Sequence, residues 1–116
     1  MILHLSELPP PLYACFTNVR RNGRAKTARY KAWIKLAAAE LGGSSCVSGG
    51  CPDIAVTYSL VKPDKRRRDL GNLEKGLSDI LVSTGVIEDD SQIVDLRLVW
   101  VESECPVTIE IREMTK

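Results

Sequence analysis

A chain of 116 residues with 44% hydrophobic side chains has room for one compact domain, 1–116, and for a core that needs no disulfide or metal staple. Its formal net charge is only +1, so the total says nothing about nucleic acid and attention shifts to how charge is distributed along the chain. No apolar segment resembles a signal peptide or spans a membrane, so a cytoplasmic, reducing setting is expected, with cysteines as free thiols.

Residues 1–8 are apolar enough for an opening strand, and Pro9, Pro10 and Pro11 must end it because proline cannot donate to a strand ladder. Seven basic residues then fall between Thr17 and Lys35 without an acidic one: Arg20, Arg21, Arg24, Lys26, Arg29, Lys31 and Lys35. From Lys26 to Leu41 the residues Tyr30, Trp33, Ile34, Ala37, Ala38 and Leu41 recur at helical spacing, and Gly42 and Gly43 stop the run. This predicts an amphipathic helix with a basic outer face. Tyr30 and Trp33 lie on its apolar stripe, which marks them as core rather than as platforms for stacked bases.

A Gly/Ser-rich loop over about 42–52 carries Cys46 and Cys51. Neither Cys15, Cys105 nor His4 supplies a second closely spaced pair, so ordinary thiols are expected in place of a zinc site. His4, the one histidine, is expected as a strand residue with a satisfied ring.

"DIAVTYSLV" alternates, with Ile54, Val56, Tyr58 and Leu60 on one side, and predicts a strand. A second basic block follows: Lys62, Lys65, Arg66, Arg67 and Arg68. "DLGNLEKGLSDILVSTG" then places Leu73, Leu77, Ile80 and Leu81 on one helical face, Asn72, Lys75 and Asp79 on another, and Gly85 at the C-terminal cap. "IVDLRLVWV" is expected to bury Val94, Leu96, Leu98 and Trp100, and "PVTIEIR" to bury Val107, Ile109 and Ile111. The order strand, helix, strand, helix, strand, strand predicts an α+β domain in which two helices cover one face of a four-stranded sheet.

Asp69 opens the second helix, and Asp89 and Asp90 lie beyond its far end. A helix of about twelve residues spans roughly 18 Å, so these carboxylates meet only if the chain after Gly85 folds back. Met together, oxygen-only ligands suit a hard cation such as Mg²⁺, with Mn²⁺ as a substitute, and neighbouring cations suit a phosphate. Spacing alone fits solvated turns equally well.

"RRRDLGNLEKGLSDILVSTGVIEDDSQIVDLRLV" resembles the signature region of the RusA-type Holliday junction resolvases, small dimeric endonucleases common in phages and prophages. The likeness covers about the last two-thirds of the domain. It implies a Mg²⁺-dependent, structure-selective endodeoxyribonuclease acting as a homodimer on four-way DNA junctions, with no small-molecule cofactor. By the same resemblance Asp69 and Asp90 are metal-binding and catalytic, Asp89 and Asn72 are their neighbours, Lys75 acts at the phosphate and Asp79 supports it. Lys65, Arg66, Arg67 and Arg68, with Arg20, Arg21, Arg24 and Lys26, are implied as DNA contacts, mainly to the backbone.

Two positions depart from the family pattern. Leu12 and Tyr13 stand where serine and asparagine are usual, and Gly71 stands where a metal-binding aspartate is usual. Either the missing carboxylate leaves a weakly cleaving or non-cleaving binder of branched DNA, or Glu74, one helical turn on, reaches back to replace it. The sequence reading favours Glu74 as that replacement ligand.

Overall fold

The computed structural model describes residues 1–19, 23–43 and 52–114. Among these residues six strands and two helices follow one another as β1 (Ile2–Leu5), β2 (Phe16–Val19), β3 (Gly23–Lys26), α1 (Ala28–Leu41), β4 (Ile54–Leu60), α2 (Gly71–Ser83), β5 (Ile93–Trp100) and β6 (Val107–Glu113). Short 3-10 turns at Leu12–Ala14 and Asp90–Gln92 precede β2 and β5. Arg20, Arg21, Cys46 and Cys51 lie outside the described residues.

Four strands form the main sheet in the order β1-β6-β4-β5. β4 is antiparallel to β6 and parallel to β5, and α2 provides the crossover that a parallel pair requires. Ile54, Val56, Tyr58 and Leu60 face the helices and are essentially inaccessible, because β4 has a bonded strand on each side and a helix layer above. Leu73, Leu77, Ile80 and Leu81 of α2 close on them, as do Tyr30, Trp33, Ala37 and Leu41 of α1. Tyr30 and Trp33 are therefore core. The Trp33 indole N–H donates to the Glu7 carbonyl at 3.0 Å, which secures the segment leading into the prolines.

Close approach shapes that segment. A Cβ added at Gly76 on α2 would stand 3.0 Å from Pro9 Cβ, so only glycine lets α2 lie this near the proline run. The helix ends where expected, with Gly85 at φ +79°, a conformation that glycine adopts without strain.

In two places the structure departs from the expected elements. α1 starts at Ala28, not Lys26, because the Thr27 hydroxyl accepts the Tyr30 N–H at 3.2 Å and caps the helix. Lys26 instead ends a separate antiparallel hairpin, β2–β3, in which Phe16 pairs with Lys26 and Val19 with Gly23. The Asn-Gly dipeptide at 22–23 is a sequence signal for this hairpin, masked by the density of arginines around it.

The second correction concerns β5. Leu98 and Trp100 pack partly against the core as expected, but Val94 and Leu96 are 55% and 42% exposed. β5 is an edge strand, and a register shift against β4 leaves Val94 without a partner. Alternation sets which side chains share a face, whereas burial depends on what lies beyond the edge.

His4 is exposed in β1 and its Nδ1 lies 3.3 Å from Thr108 Oγ1. Cys15 is buried and free, and Cys105 is half-buried and free. Burial pushes the Cys15 thiol up, only partly opposed by the nearby charge of Arg29. Among the described residues no helix is long and apolar enough to cross a membrane.

Candidate active site

β4 ends at Leu60, and the basic block runs through the loop between it and α2. That loop has an organiser which the sequence reading passed over. Asp64 accepts from Arg68 Nη2 at 2.6 Å and Nε at 3.3 Å, from the Arg66 backbone N–H at 3.0 Å, and from Arg66 Nε at 3.3 Å. The Arg68 guanidinium first, then the Arg66 N–H, holds the Asp64 carboxyl well down, at about 2. The signal was the Pro63–Asp64 pair, a turn-former followed by a residue that bonds its own backbone two residues on.

The loop lines one wall of a cleft of about 850 Å³, into which Arg66, Arg67, Arg68, Asp69 and Asn72 face together with Lys62, Arg29 and Tyr13. Pro9 and Pro11 also line it. Arg66 and Arg68 share Asp64, whereas Arg67 has no acidic partner among the described residues. Tyr13 is 79% exposed, an aromatic face presented beside a row of guanidinium groups. Lys62 Nζ lies 5.7 Å from the centroid of Trp100, at the end of β5. Lys65 is exposed and outside the cleft lining, and Arg24 and Lys26 belong to the β2–β3 hairpin, with Arg24 stacked 4.5 Å over Phe16.

Asp69 starts α2. Its Oδ1 accepts the Gly71 N–H at 2.9 Å and its carbonyl accepts the Asn72 N–H at 3.2 Å. The carboxylate thus sits at the positive end of the helix dipole and remains exposed to the cleft. A Cβ at Gly71 would come within 3.3 Å of Asp69 Oδ1, so an aspartate there would set a second carboxylate directly beside the first.

Glu74 is turned elsewhere. Its Oε1 accepts the Ser78 hydroxyl at 2.5 Å, and Ser78 Oγ lies 2.8 Å from the Tyr58 hydroxyl. This chain of bonds runs toward the C-terminal end of α2, away from Asp69. Burial is the main reason the Tyr58 hydroxyl is pushed far up, opposed by the Ser78 bond. Lys75 pairs with Asp79 one turn along, Nζ to Oδ2 3.2 Å, on the exposed face of α2.

Asp89 and Asp90 stand at the other end of the molecule. The chain after Gly85 does not return to Asp69. It passes Val86 and Ile87, both buried, and enters β5 with Ile93 opposite Ile54, the first residue of β4. Gln92, 5% exposed, fixes this turn: its Oε1 accepts the Glu88 and Asp89 N–H groups at 2.8 and 3.1 Å, and its Nε2 donates to the Pro52 carbonyl at 2.9 Å. The Ser91 hydroxyl donates to Asp89 Oδ2 at 2.5 Å. That bond first, and the Asp90 contact second, keeps the Asp89 carboxyl below the usual range. The capping pattern Asp89-Asp90-Ser91-Gln92 was the legible sign of this turn.

Seven residues of β4 therefore separate the two acidic positions, about 20 Å at the rise of a strand. Among the described residues no group of three or more His, Cys, Asp or Glu side chains is placed to hold a metal ion. The oxygen donors suit Mg²⁺ in kind, but one chain presents Asp69 at one end of the sheet and Asp89 with Asp90 at the other, so it does not form a complete donor set by itself.

Comparison with known proteins gives these features a common setting. Residues 16–112 match the family model described as Endodeoxyribonuclease RusA. A crossover junction endodeoxyribonuclease of Enterobacteria phage 82 is 35% identical over 91 residues, covering 76% of this chain and 72% of that protein. The protein of the same name from Aquifex aeolicus is 30% identical over 97 residues, 84% of this chain and 77% of its own. A shorter stretch of 37 residues, 32% of this chain, is 54% identical to 31% of the protein of that name from Enterobacteria phage HK97. With the family model spanning most of the fold, from the start of β2 into β6, the chain belongs to the RusA family of endodeoxyribonucleases.

Proposed function

We propose that this protein is a Mg²⁺-dependent, structure-selective endodeoxyribonuclease that resolves four-way DNA junctions by paired phosphodiester hydrolysis. It acts as a homodimer in the cytoplasm of a bacterial or phage-infected cell. The observation that carries the reading is the cleft in which Arg66, Arg67 and Arg68 lead directly to Asp69 at the N-terminus of α2. Guanidinium groups along a groove hold the phosphate backbone and set its register without reading bases. A carboxylate at the end of that row is placed where a held phosphate would lie.

The split between Asp69 and Asp90 makes the dimer part of the chemistry. Paired nicks in a nearly two-fold symmetric junction call for two related sites, which a C2 dimer supplies. Each site then takes Asp69 from one subunit and the partner subunit's Asp89 and Asp90. Bound Mg²⁺ would supply a Lewis acid and a more acidic water. The chain's own contribution is to orient the backbone with Arg66–Arg68, to aim Asp69 by its bonds to Gly71 and Asn72, and to present Lys75 near the phosphate on the next turn of α2. In the free protein Asp79 holds Lys75, an exposed pair worth about 0.3–0.5 kcal/mol, so a phosphate can readily displace it.

A second reading is favoured by one specific observation: Gly71 offers no ligand and Glu74 is bonded to Ser78. On that reading the protein binds branched DNA and cuts it slowly or not at all. An end-labelled synthetic junction incubated in Mg²⁺, Mn²⁺ or EDTA decides between them, alongside Asp90→Asn. Metal-dependent symmetric nicks that vanish in the variant support the resolvase. Tight binding without cutting in either metal supports the binder.

A further inference from the structure

The cleft that carries the arginine row has a lining of two kinds. Arg66, Arg67 and Arg68 suit a phosphate, but Pro9, Pro11, Val61, Pro63 and Pro106 line the same space, and a phosphate backbone alone has no use for apolar groups. Tyr13 joins them. At 79% exposure it is the most exposed large hydrophobic side chain among the described residues. A single exposed apolar residue is ordinary on a protein surface. One that lines a cleft of about 850 Å³ beside cations is not, because clefts of roughly 300–1,000 Å³ are the size that encloses a compact organic group.

The exposed ring stands on a fixed mount. Its 3-10 turn follows the proline run and is closed by the Ala14 N–H donating to the Pro11 carbonyl at 2.8 Å and the Cys15 N–H donating to the Leu12 carbonyl at 3.1 Å. The Thr27 hydroxyl, which caps α1, donates to the Ala14 carbonyl at 2.7 Å. Cys15, two residues on from Tyr13, is buried in the core. The backbone on both sides of Tyr13 is therefore held before any ligand arrives, and a tyrosine has few rotatable bonds left to freeze. A preset aromatic face is one that a flat partner can cover at little cost in ordering.

We propose that Tyr13 and the apolar lining form a nucleobase subsite: a base unstacked at the branch point lies on the Tyr13 ring while the neighbouring phosphate is held by the arginine row. The inference rests on the reading of branched DNA as substrate and adds how a branch is told from continuous duplex. Cations and an aromatic face in one cleft match the two parts of a nucleotide, its phosphate and its flat base. Inside a duplex both faces of every base are covered by its neighbours, so the ring finds nothing to stack on. Where strands part the stack is already broken, and taking a base out of it costs least. The ring at position 13, in place of the family's usual polar side chain, thus becomes a determinant of structure selectivity.

The test is binding of the full chain, in EDTA so that nothing is cut, to a synthetic four-way junction and to a continuous duplex with the same arm sequence. Tyr13→Ala is expected to lose about tenfold on the junction, or 1.4 kcal/mol, which is within the range for one base stacked on an aromatic ring. On the duplex it should stay within about twofold of the parent. Tyr13→Phe keeps the ring and should bind the junction as the parent does. A junction with abasic sites at the branch-point nucleotides supplies the cycle: the parent should fall to the level of Tyr13→Ala, and Tyr13→Ala should fall no further. Equal losses on junction and duplex, a Tyr13→Phe as weak as Tyr13→Ala, or abasic and alanine losses that simply add would each overturn the subsite. Ring-dependent junction binding without cleavage in Mg²⁺ sinks the nuclease reading alone. Junction cleavage in Mg²⁺ by a protein indifferent to Tyr13→Ala sinks the subsite alone.

Discussion

Asp69 and Asp90 stand at opposite ends of α2, a helix of 13 residues and so about 20 Å long. Carboxylates that far apart in one chain cannot share a cation, so the proposed homodimer would have to draw one of them for each site from the partner subunit. Asp69→Asn and Asp90→Asn should each lower junction cleavage about 100-fold or more. Co-expressed with different tags and purified through both, their heterodimer has one intact site and should nick a single strand. An inactive heterodimer would mean that each chain uses only its own acids.

Gly71 sets the second expectation. An aspartate there would project beside Asp69 Oδ1 and add an oxygen ligand at the existing one. Gly71→Asp should lower the Mg²⁺ concentration for half-maximal cleavage by about tenfold, or 1.4 kcal/mol. Glu74→Gln, at a side chain bonded to Ser78, should leave that concentration within about twofold, since a factor of two is only about 0.4 kcal/mol. Cleavage rates across a Mg²⁺ titration measure both, and a large loss in Glu74→Gln would restore Glu74 as a ligand.

Asp64 fixes the shape of the arginine loop. Its folded value of about 2 lies below the ordinary 3.8, so the stabilisation is complete above the ordinary value and is lost as pH falls through the lower one. Across the neutral range the clamp is constant. Asp64→Asn should therefore behave at pH 7 much as strong acid does, freeing Arg66 and Arg68. Limited trypsin digestion checks this: cutting within 66–68 should accelerate several-fold over the parent.

Arg67 tests the cleft as a phosphate groove. Arg67→Ala should reduce the slope of log affinity against log salt by about one and weaken junction and duplex alike. Fluorescence anisotropy over a salt series reads this directly. A loss confined to one DNA sequence would point to base contact instead.

Ser78 bridges Tyr58 of the central strand and Glu74 of α2. Ser78→Ala leaves a buried tyrosine hydroxyl without its partner, a cost of about 1–3 kcal/mol. Urea denaturation should show the midpoint falling with an unchanged slope. An unaltered midpoint would mean that water or a rotated Tyr58 takes over the bond.

Local pattern by itself determined a good deal of this protein. The period-2 run over Ile54–Leu60, the 3.6-period stripe Leu73, Leu77, Ile80 and Leu81, and the glycine cap at Gly85 all stand where the alternation and spacing put them. These features depend on neighbours a few residues apart, and such neighbours are written in the chain. The arginine block leading to Asp69 was likewise legible, as was the departure at Gly71. Tertiary structure alone decided three other things. It placed β5 at an edge, exposing Val94 and Leu96 that alternation assigned to a core. It bonded Glu74 to Ser78, because Tyr58 arrives on that side from β4. It sent the chain after Gly85 to the start of β4 through the grip of Gln92 on Pro52, separating Asp69 from Asp90. Each depends on which element lies beside another, a relation between residues far apart in sequence that no local period encodes.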